Sequence, residues 1–180
     1  MMRTYFYDDP VLDAPLPASV FLAGPTANGI PRTPWRAEAL ALLAARGFTG
    51  TAILPEIRDG LFAERAPVIF AAPPSAIPGM RDTSHNILRW ETAGIEHAAV
   101  VLFWMPFAIA AADDPASLPG FTTRAEVSRE LARDPSRLVL GMPPGALSAS
   151  HIRYHAHHHE VPIATTLAET VDAALARLAT

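Results

Sequence analysis

The segment that decides the fold is Ala99-Val-Val-Leu-Phe-Trp-Met105, an uninterrupted run of seven apolar residues. It lacks the alternation of a half-exposed strand, and is instead typical of a strand that is buried on both faces. Such strands belong to parallel sheets that carry helices on both sides. The segment therefore predicts an inner strand of an α/β sheet.

Shorter candidate strands and helices alternate around this segment. Strands are predicted at residues 19–25, 51–55, 99–105, 137–142 and 161–164. Helices are predicted at residues 35–45, 83–97, 123–133 and 166–178. Because a parallel pair needs a crossover and each crossover here is helical, we expect a doubly wound α/β sandwich of three layers. Its sheet is predicted to be mainly parallel and five-stranded, within a single domain spanning residues 1–180.

Ligands of such folds bind outside the carboxyl ends of the strands, near the switch in strand order. Here those ends are Gly24-Pro25, Pro55-Glu-Ile-Arg58, Trp104-Met-Pro106 and Gly141-Met-Pro143. Residues 57–82 contain Pro67, Pro73, Pro74 and Pro78, and we interpret them as a long loop. A loop of that length is typical of a lid or a binding element, and residues 59–82 are predicted to exclude water.

Composition excludes several classes of protein. The net charge of −4 argues against a nucleic-acid partner. All 14 basic residues are arginine and there is no cysteine, so lysine Schiff bases, thiolate catalysis and Cys-ligated metals are excluded. GxGxxG, GxxxxGK[ST] and GxSxG are absent, and no cofactor is predicted. The apolar stretch 98–112 is too short to span a membrane and no signal peptide is evident, which favours a cytoplasmic protein.

Two glutamates are the candidate acid–base pair. Glu126 is predicted in the first turn of the helix at 123–133, where the helix dipole would stabilise its ionised form as a nucleophile. Thr123-x-x-Glu126 also fits a capping box, which the spacing alone favours, and Thr166-x-x-Glu169 repeats it. Glu91 follows Trp90; burial there would raise its pKa and suit it to protonate a leaving group, although a solvated helix face is the simpler alternative.

Other polar residues allow two interpretations. Glu56 and Arg58 leave one strand together and are expected to pair with each other. The cluster between His151 and His159 suggests a metal site, yet no recognised zinc motif is complete, so a solvated or partner-facing loop is favoured and no metal is predicted.

Six pieces of sequence follow the order of a known family. They are Phe21-Leu-Ala-Gly-Pro25, Pro34-Trp-Arg-x-Glu-Ala-Leu40, Leu54-Pro-Glu-x-Arg58, Trp90-Glu91 ahead of Phe103-Trp-Met-Pro106, Thr122-Thr-x-x-Glu126 and Val139-Leu-Gly-x-Pro-Pro144. Together they cover roughly residues 20–155 and resemble the nucleoside 2-deoxyribosyltransferase family, in particular its short bacterial members. The chain departs from those members at Arg124, where they tend to have asparagine.

The resemblance implies a flavodoxin-like fold, a homo-oligomer and chemistry at N-glycosidic bonds. It assigns the nucleophile to Glu126, the acid to Glu91, and the sugar pocket to Gly24 and Pro25. We expect further substrate contacts from Glu56, Arg58, Trp90, Trp104, Thr122, Thr123 and Arg124, with Trp90, Trp104 or Phe121 stacking on the base.

Three functions stay open from the sequence. The first is sugar transfer between a nucleoside and a free nucleobase through a glycosyl ester on Glu126. The second is hydrolysis of the same bond in a nucleoside or nucleotide 5′-monophosphate, which the guanidinium groups of Arg58, Arg81 and Arg124 favour. The third is a non-catalytic nucleotide-binding or sensor domain.

Overall fold

The computed structural model describes residues 1–26, 34–56, 58, 77–78, 82–107 and 120–180. Its strands are β1 (Arg3–Phe6), β2 (Leu16–Ala23), β3 (Thr51–Leu54), β4 (Ala98–Trp104), β5 (Leu138–Gly141) and β6 (Ile163–Ala164). Its α-helices are α1 (Pro34–Ala45), α2 (Asp82–His97), α3 (Phe121–Arg133), α4 (Ser150–His158) and α5 (Leu167–Leu178), with a 3₁₀ turn at Pro135–Arg137.

All of the strands pair in parallel in a single sheet of order β1-β3-β2-β4-β5-β6. The chain therefore moves outward from β2 to β3, returns to the other side of β2 at β4, and continues outward from there. This confirms the doubly wound, flavodoxin-like α/β class, whose switch in strand order lies between β2 and β4. The ligand crevice of such a sheet is expected at the carboxyl ends of these two strands.

Two apolar cores pack on opposite faces of the sheet. Side chains alternate along β4, so Val100, Leu102 and Trp104 enter one core while Val101 and Phe103 enter the other. Helices α1 and α5 cover the first core, and α2, α3 and α4 cover the second. Burial of β4 on both faces confirms the prediction made from its continuous apolar sequence.

Two predictions about the elements are wrong. The sheet has six strands rather than five, because Arg3–Phe6 adds an edge strand beside β3. A four-residue segment with partly exposed side chains carries little apolar pattern, so its pairing depends on β3. The histidine-rich segment is helix α4 rather than a loop; Ile152 and Ala156 lie four residues apart and bury one face of it.

The predicted lid at residues 59–82 lies outside the described residues, apart from Ile77, Pro78 and the helical Asp82. None of the helices among the residues given above is long and apolar enough to cross a membrane.

Candidate active site

A cavity of about 350 Å³ opens at the carboxyl end of the sheet, beside the switch in strand order. Its wall is formed by the end of β2, the start of α3, Pro55 after β3, and Glu91 from the middle of α2. The described lining residues are Phe21, Ala23, Gly24, Pro25, Thr26, Pro55, Glu91, Gly120, Phe121, Thr122, Thr123 and Glu126. Both candidate carboxylates, 35 positions apart in the sequence, thus face a single cavity.

Gly24 forms the turn that ends β2 at the wall of the cavity. Its φ is +153°, and an added Cβ would lie 2.3 Å from the carbonyl oxygen of Trp104 and 2.8 Å from Cζ2 of Trp35. The backbone after β2 can pass this close to the end of β4 only because the residue has no side chain.

Glu91 is positioned by the burial of its neighbour Trp90. The Trp90 indole is 1% exposed, packs on the rings of Tyr5 and Tyr7, and donates through Nε1 to the carbonyl oxygen of Asp9 at 3.2 Å. Consecutive helical residues point about 100° apart, so anchoring Trp90 in the core turns Glu91 toward the cavity.

Glu126 is positioned by the way α3 begins. Gly120 precedes the helix with φ 57° and ψ 43°, and a Cβ there would lie 2.4 Å from the Phe107 ring. The Arg124 guanidinium lies over the same ring, 3.7 Å from its centroid. Phe107, just after β4, therefore holds the first turn of α3 at the carboxyl edge of the sheet.

Two expectations about Glu126 are wrong. The helix begins at Phe121, so Glu126 lies in its second turn rather than its first. Gly120 is the N-cap and no side chain caps this end, so Thr123-x-x-Glu126 is not a capping box. Thr123 is instead buried, at 2% exposure, and lines the cavity. The second pattern, Thr166-x-x-Glu169, does form a capping box at the start of α5.

Desolvation raises the pKa of both carboxyl groups that line the cavity. Desolvation, followed by the negative charge of Glu126, raises the pKa of Glu91 to about 8, although the positive charge of Arg36 opposes this. Glu91 is therefore largely protonated at pH 7, as the sequence-based proposal for a proton donor requires.

Desolvation also raises the pKa of Glu126, assisted by Glu130, while Arg129 and Arg36 lower it. The dipole-stabilised anion expected from the sequence is thus not what the structure shows, because the second turn lies beyond most of the dipole's reach.

Tyr7 adds a phenol to the surroundings of Glu91. Burial and the negative charge of Glu91 raise the pKa of Tyr7 to about 12, so its hydroxyl stays protonated at neutral pH. Tyr7 directly follows the edge strand β1, which the sequence pattern did not predict.

Five of the predicted contact residues lie outside the cavity lining. Trp90 is in the core, and Trp104 is 8% exposed with its ring packed against the backbone of Gly141. Neither indole therefore presents a face to the cavity, whereas Phe121 lines it with a ring that is 78% exposed.

Glu56 and Arg58 do not pair with each other as expected. Glu56 is buried and accepts a hydrogen bond from Arg36 at 2.9 Å, whereas Arg58 donates to Asp9 at 2.8 Å. Both residues lie beyond the end of β3 at Leu54, where the regular alternation of side chains along a strand no longer applies.

Two of the three arginines that favoured a phosphate ligand have protein partners in the structure. Arg124 donates to the carbonyl oxygens of Leu147 and Ser148, and Arg58 is bound by Asp8 and Asp9. The third, Arg81, lies outside the described residues. Neither of the two described arginines lines the cavity.

Arg36 is the residue near this site that sequence reasoning missed. It is 1% exposed, donates to Glu56, and lowers the pKa of both Glu91 and Glu126. A signal for it does exist in the sequence. Arg36, Ala39 and Leu43 lie at the spacing of one helix face, and the two apolar members are fully buried.

The histidines of α4 lie away from this cavity. The rings of His151 and His155 are 4.3 Å apart between centroids on the exposed side of the helix. Burial and the neighbouring histidines lower the pKa of His155. Within the described part of the chain, no group of three or more His, Cys, Asp or Glu side chains is arranged to hold a metal ion.

Comparison with protein-family models finds no match, and no curated protein matches the chain. The resemblance to the nucleoside 2-deoxyribosyltransferases therefore stays a prediction from the motifs.

Proposed function

We propose that this protein cleaves the N-glycosidic bond of nucleosides and transfers the sugar to a second nucleobase, through a covalent intermediate on Glu126. The observation that carries the proposal is the pair of glutamates in one cavity: Glu91 and Glu126 come from different helices, and burial keeps Glu91 protonated at neutral pH. A proton donor and a carboxylate nucleophile are the two groups that retaining cleavage of a glycosidic bond requires.

In the first step, an ionised Oε of Glu126 attacks the anomeric carbon on the face opposite the base. The bond from that carbon to the base nitrogen breaks, and the proton of Glu91 moves to the departing base. This leaves a glycosyl ester on Glu126 and an ionised Glu91.

In the second step, the Glu91 carboxylate takes a proton from the acceptor base as the nitrogen of that base attacks the anomeric carbon. The ester bond breaks, which returns Glu126 to its ionised form and Glu91 to its protonated form. Two inversions give net retention of the anomeric configuration.

Three residues of the cavity supply plausible contacts for such a substrate. The exposed ring of Phe121 offers a stacking surface for the base, which neither buried tryptophan does. Thr122, exposed at the start of α3, and Thr26 present hydroxyl groups that suit a sugar. The partners already held by Arg58 and Arg124 favour a substrate without a phosphate group.

The deciding assay incubates purified protein with a deoxynucleoside, with and without a second free base, and follows the products by chromatography. We expect a new nucleoside that forms only with the acceptor, together with a mass increase of one sugar on the protein. Glu126→Gln is expected to lower turnover by at least about 10³-fold. Glu91→Gln is expected to lower it by about 10²- to 10⁴-fold.

Glu96→Gln is the matched control, since Glu96 lies on the same helix as Glu91 but is exposed beside Arg133. Wild-type turnover in Glu126→Gln would reject the mechanism. Free base released equally well without an acceptor would identify the hydrolase alternative instead. Nucleoside binding without any turnover would identify a sensor domain.

A further inference from the structure

A buried arginine forms a cluster of hydrogen bonds behind the cavity wall. Arg36, in the first turn of α1, donates through Nε to the carbonyl oxygen of Leu22 at 3.0 Å and through Nη2 to that of Gly24 at 2.7 Å. Its Nη1 donates to Oγ1 of Thr26 at 3.0 Å and to Oε1 of Glu56 at 2.9 Å.

These bonds fix the last residues of β2 and the turn that follows them. The pairing of β2 with β3 ends at Phe21, and beyond it buried carbonyl groups must find partners outside that ladder. Arg36 satisfies Leu22 and Gly24, and the neighbouring Trp35 donates through Nε1 to the carbonyl oxygen of Pro25 at 3.1 Å. The first turn of α1 thus holds the cavity wall through hydrogen bonds to three successive parts of its backbone, at Leu22, Gly24 and Pro25.

Two of these partners, Gly24 and Thr26, line the cavity together with Glu91 and Glu126, so the cluster places a positive charge behind the wall of that cavity. The acidic groups whose charges act on the guanidinium are Glu56 from the end of β3, Glu91 from α2 and Glu126 from α3. Burial lowers the pKa of Arg36 and these three charges oppose that effect. An arginine suits this position because its planar fork carries five donors, whereas a lysine would keep the charge without the fork.

We propose that Arg36 is a positioning residue of this site: it fixes the wall formed by residues 22–26 and keeps a buried positive charge beside Glu91 and Glu126. Glu56 holds the guanidinium in place through a hydrogen bond from Nη1. The consequence for turnover rests on the proposed function, whereas the effect on the carboxyl groups can be measured without any substrate.

The charge is tested by following the carboxyl ¹³C resonance of Glu91 through a pH titration. Arg36→Met is expected to raise the pKa of Glu91 by about one pH unit, since it removes a nearby opposite charge. Glu56→Gln is the matched control: it breaks the same ion pair but leaves the positive charge, so the pKa of Glu91 is not expected to rise. A purely structural role predicts the same response in both variants, and that result would overturn the proposal.

The positioning of the wall by Arg36 is tested with Arg36→Lys, which retains a positive charge but lacks the planar guanidinium that makes the hydrogen bonds. We expect the pKa of Glu91 to stay near its wild-type value while turnover falls by about 10-fold or more. Wild-type turnover in Arg36→Lys would overturn the positioning role. If the wild-type protein turns over no nucleoside, the proposed function fails, and the titration alone then decides the role of the charge.

Breaking a buried ion pair on one side strongly destabilises a protein. If Arg36→Met does not fold, the double variant R36M/E56Q replaces it, because removing both charges together leaves no buried charge unpaired. The double variant is expected to raise the pKa of Glu91, and an unchanged value would reject the proposal.

Discussion

Replacing Glu91 with glutamine should stabilise the protein increasingly as the pH rises. The pKa of Glu91 is about 8 in the folded protein, against about 4.3 for an unfolded chain. Between these values the folded protein retains a proton that the unfolded chain has lost, so the contribution of Glu91 to stability is complete below pH 4 and disappears as the pH rises to 8. Each pH unit in this interval lowers the free energy of unfolding by about 1.4 kcal/mol, which amounts to about 5 kcal/mol over the whole interval.

The measurement is urea unfolding of wild type and Glu91→Gln at pH 5, 6, 7 and 8, followed by circular dichroism. The difference in the free energy of unfolding should move in favour of the variant by about 1.4 kcal/mol per pH unit. It should level off above pH 8, where the folded protein has also lost the proton. Glu38→Gln, on the exposed face of α1, is the control and should track wild type. A difference that does not change with pH would refute the assignment of a partly buried, protonated Glu91.

Three further outcomes follow from the geometry. Gly24→Ala places a Cβ 2.3 Å from the carbonyl oxygen of Trp104 at a positive φ, and should lower the free energy of unfolding in urea by about 3 kcal/mol. The matched Gly47→Ala also lies at a positive φ but has no atom within 4 Å of the added Cβ, so it should lose only about 1 kcal/mol to backbone strain. Thr166→Ala removes the cap of α5 and should cost about 1 kcal/mol in urea unfolding, whereas Thr166→Ser should not. Phe121→Ala should raise KM about 10-fold, with wild-type stability, because the ring is 78% exposed; an unchanged KM would exclude stacking on it.

The elements with a strong local pattern could be predicted from the sequence. The apolar run of β4, the capping signal at Thr166 and the alternation of strands and helices all led to the observed α/β class. Elements that form only by packing or pairing with another part of the chain could not be predicted in this way. Strand β1 has little apolar pattern of its own and is stabilised by pairing with β3. Helix α4 buries only Ile152 and Ala156, and the histidines around them obscure this short apolar face in the sequence.

In the candidate site, too, some features could be predicted from the sequence and others could not. Glu91, Glu126, Gly24 and Pro25 were predicted as neighbours from their motifs, and all four line the cavity. The partners of charged side chains were not predictable, because arginine and glutamate pair across the fold rather than along the chain. Arg36 reaches a glutamate 20 positions away, which left Arg58 to bind two aspartates near the amino terminus.

The sequence by itself determined the fold class and the absence of lysine and cysteine chemistry, since these follow from local periodicity and composition. It pointed to Glu91 and Glu126 only through their motifs and the family resemblance that those motifs carry. Only the tertiary structure decided which side chains face the cavity and how strongly each carboxyl group holds its proton. Acid strength depends on desolvation and on charges a few ångströms away, and both arise when α1, α2 and α3 pack around the same end of the sheet.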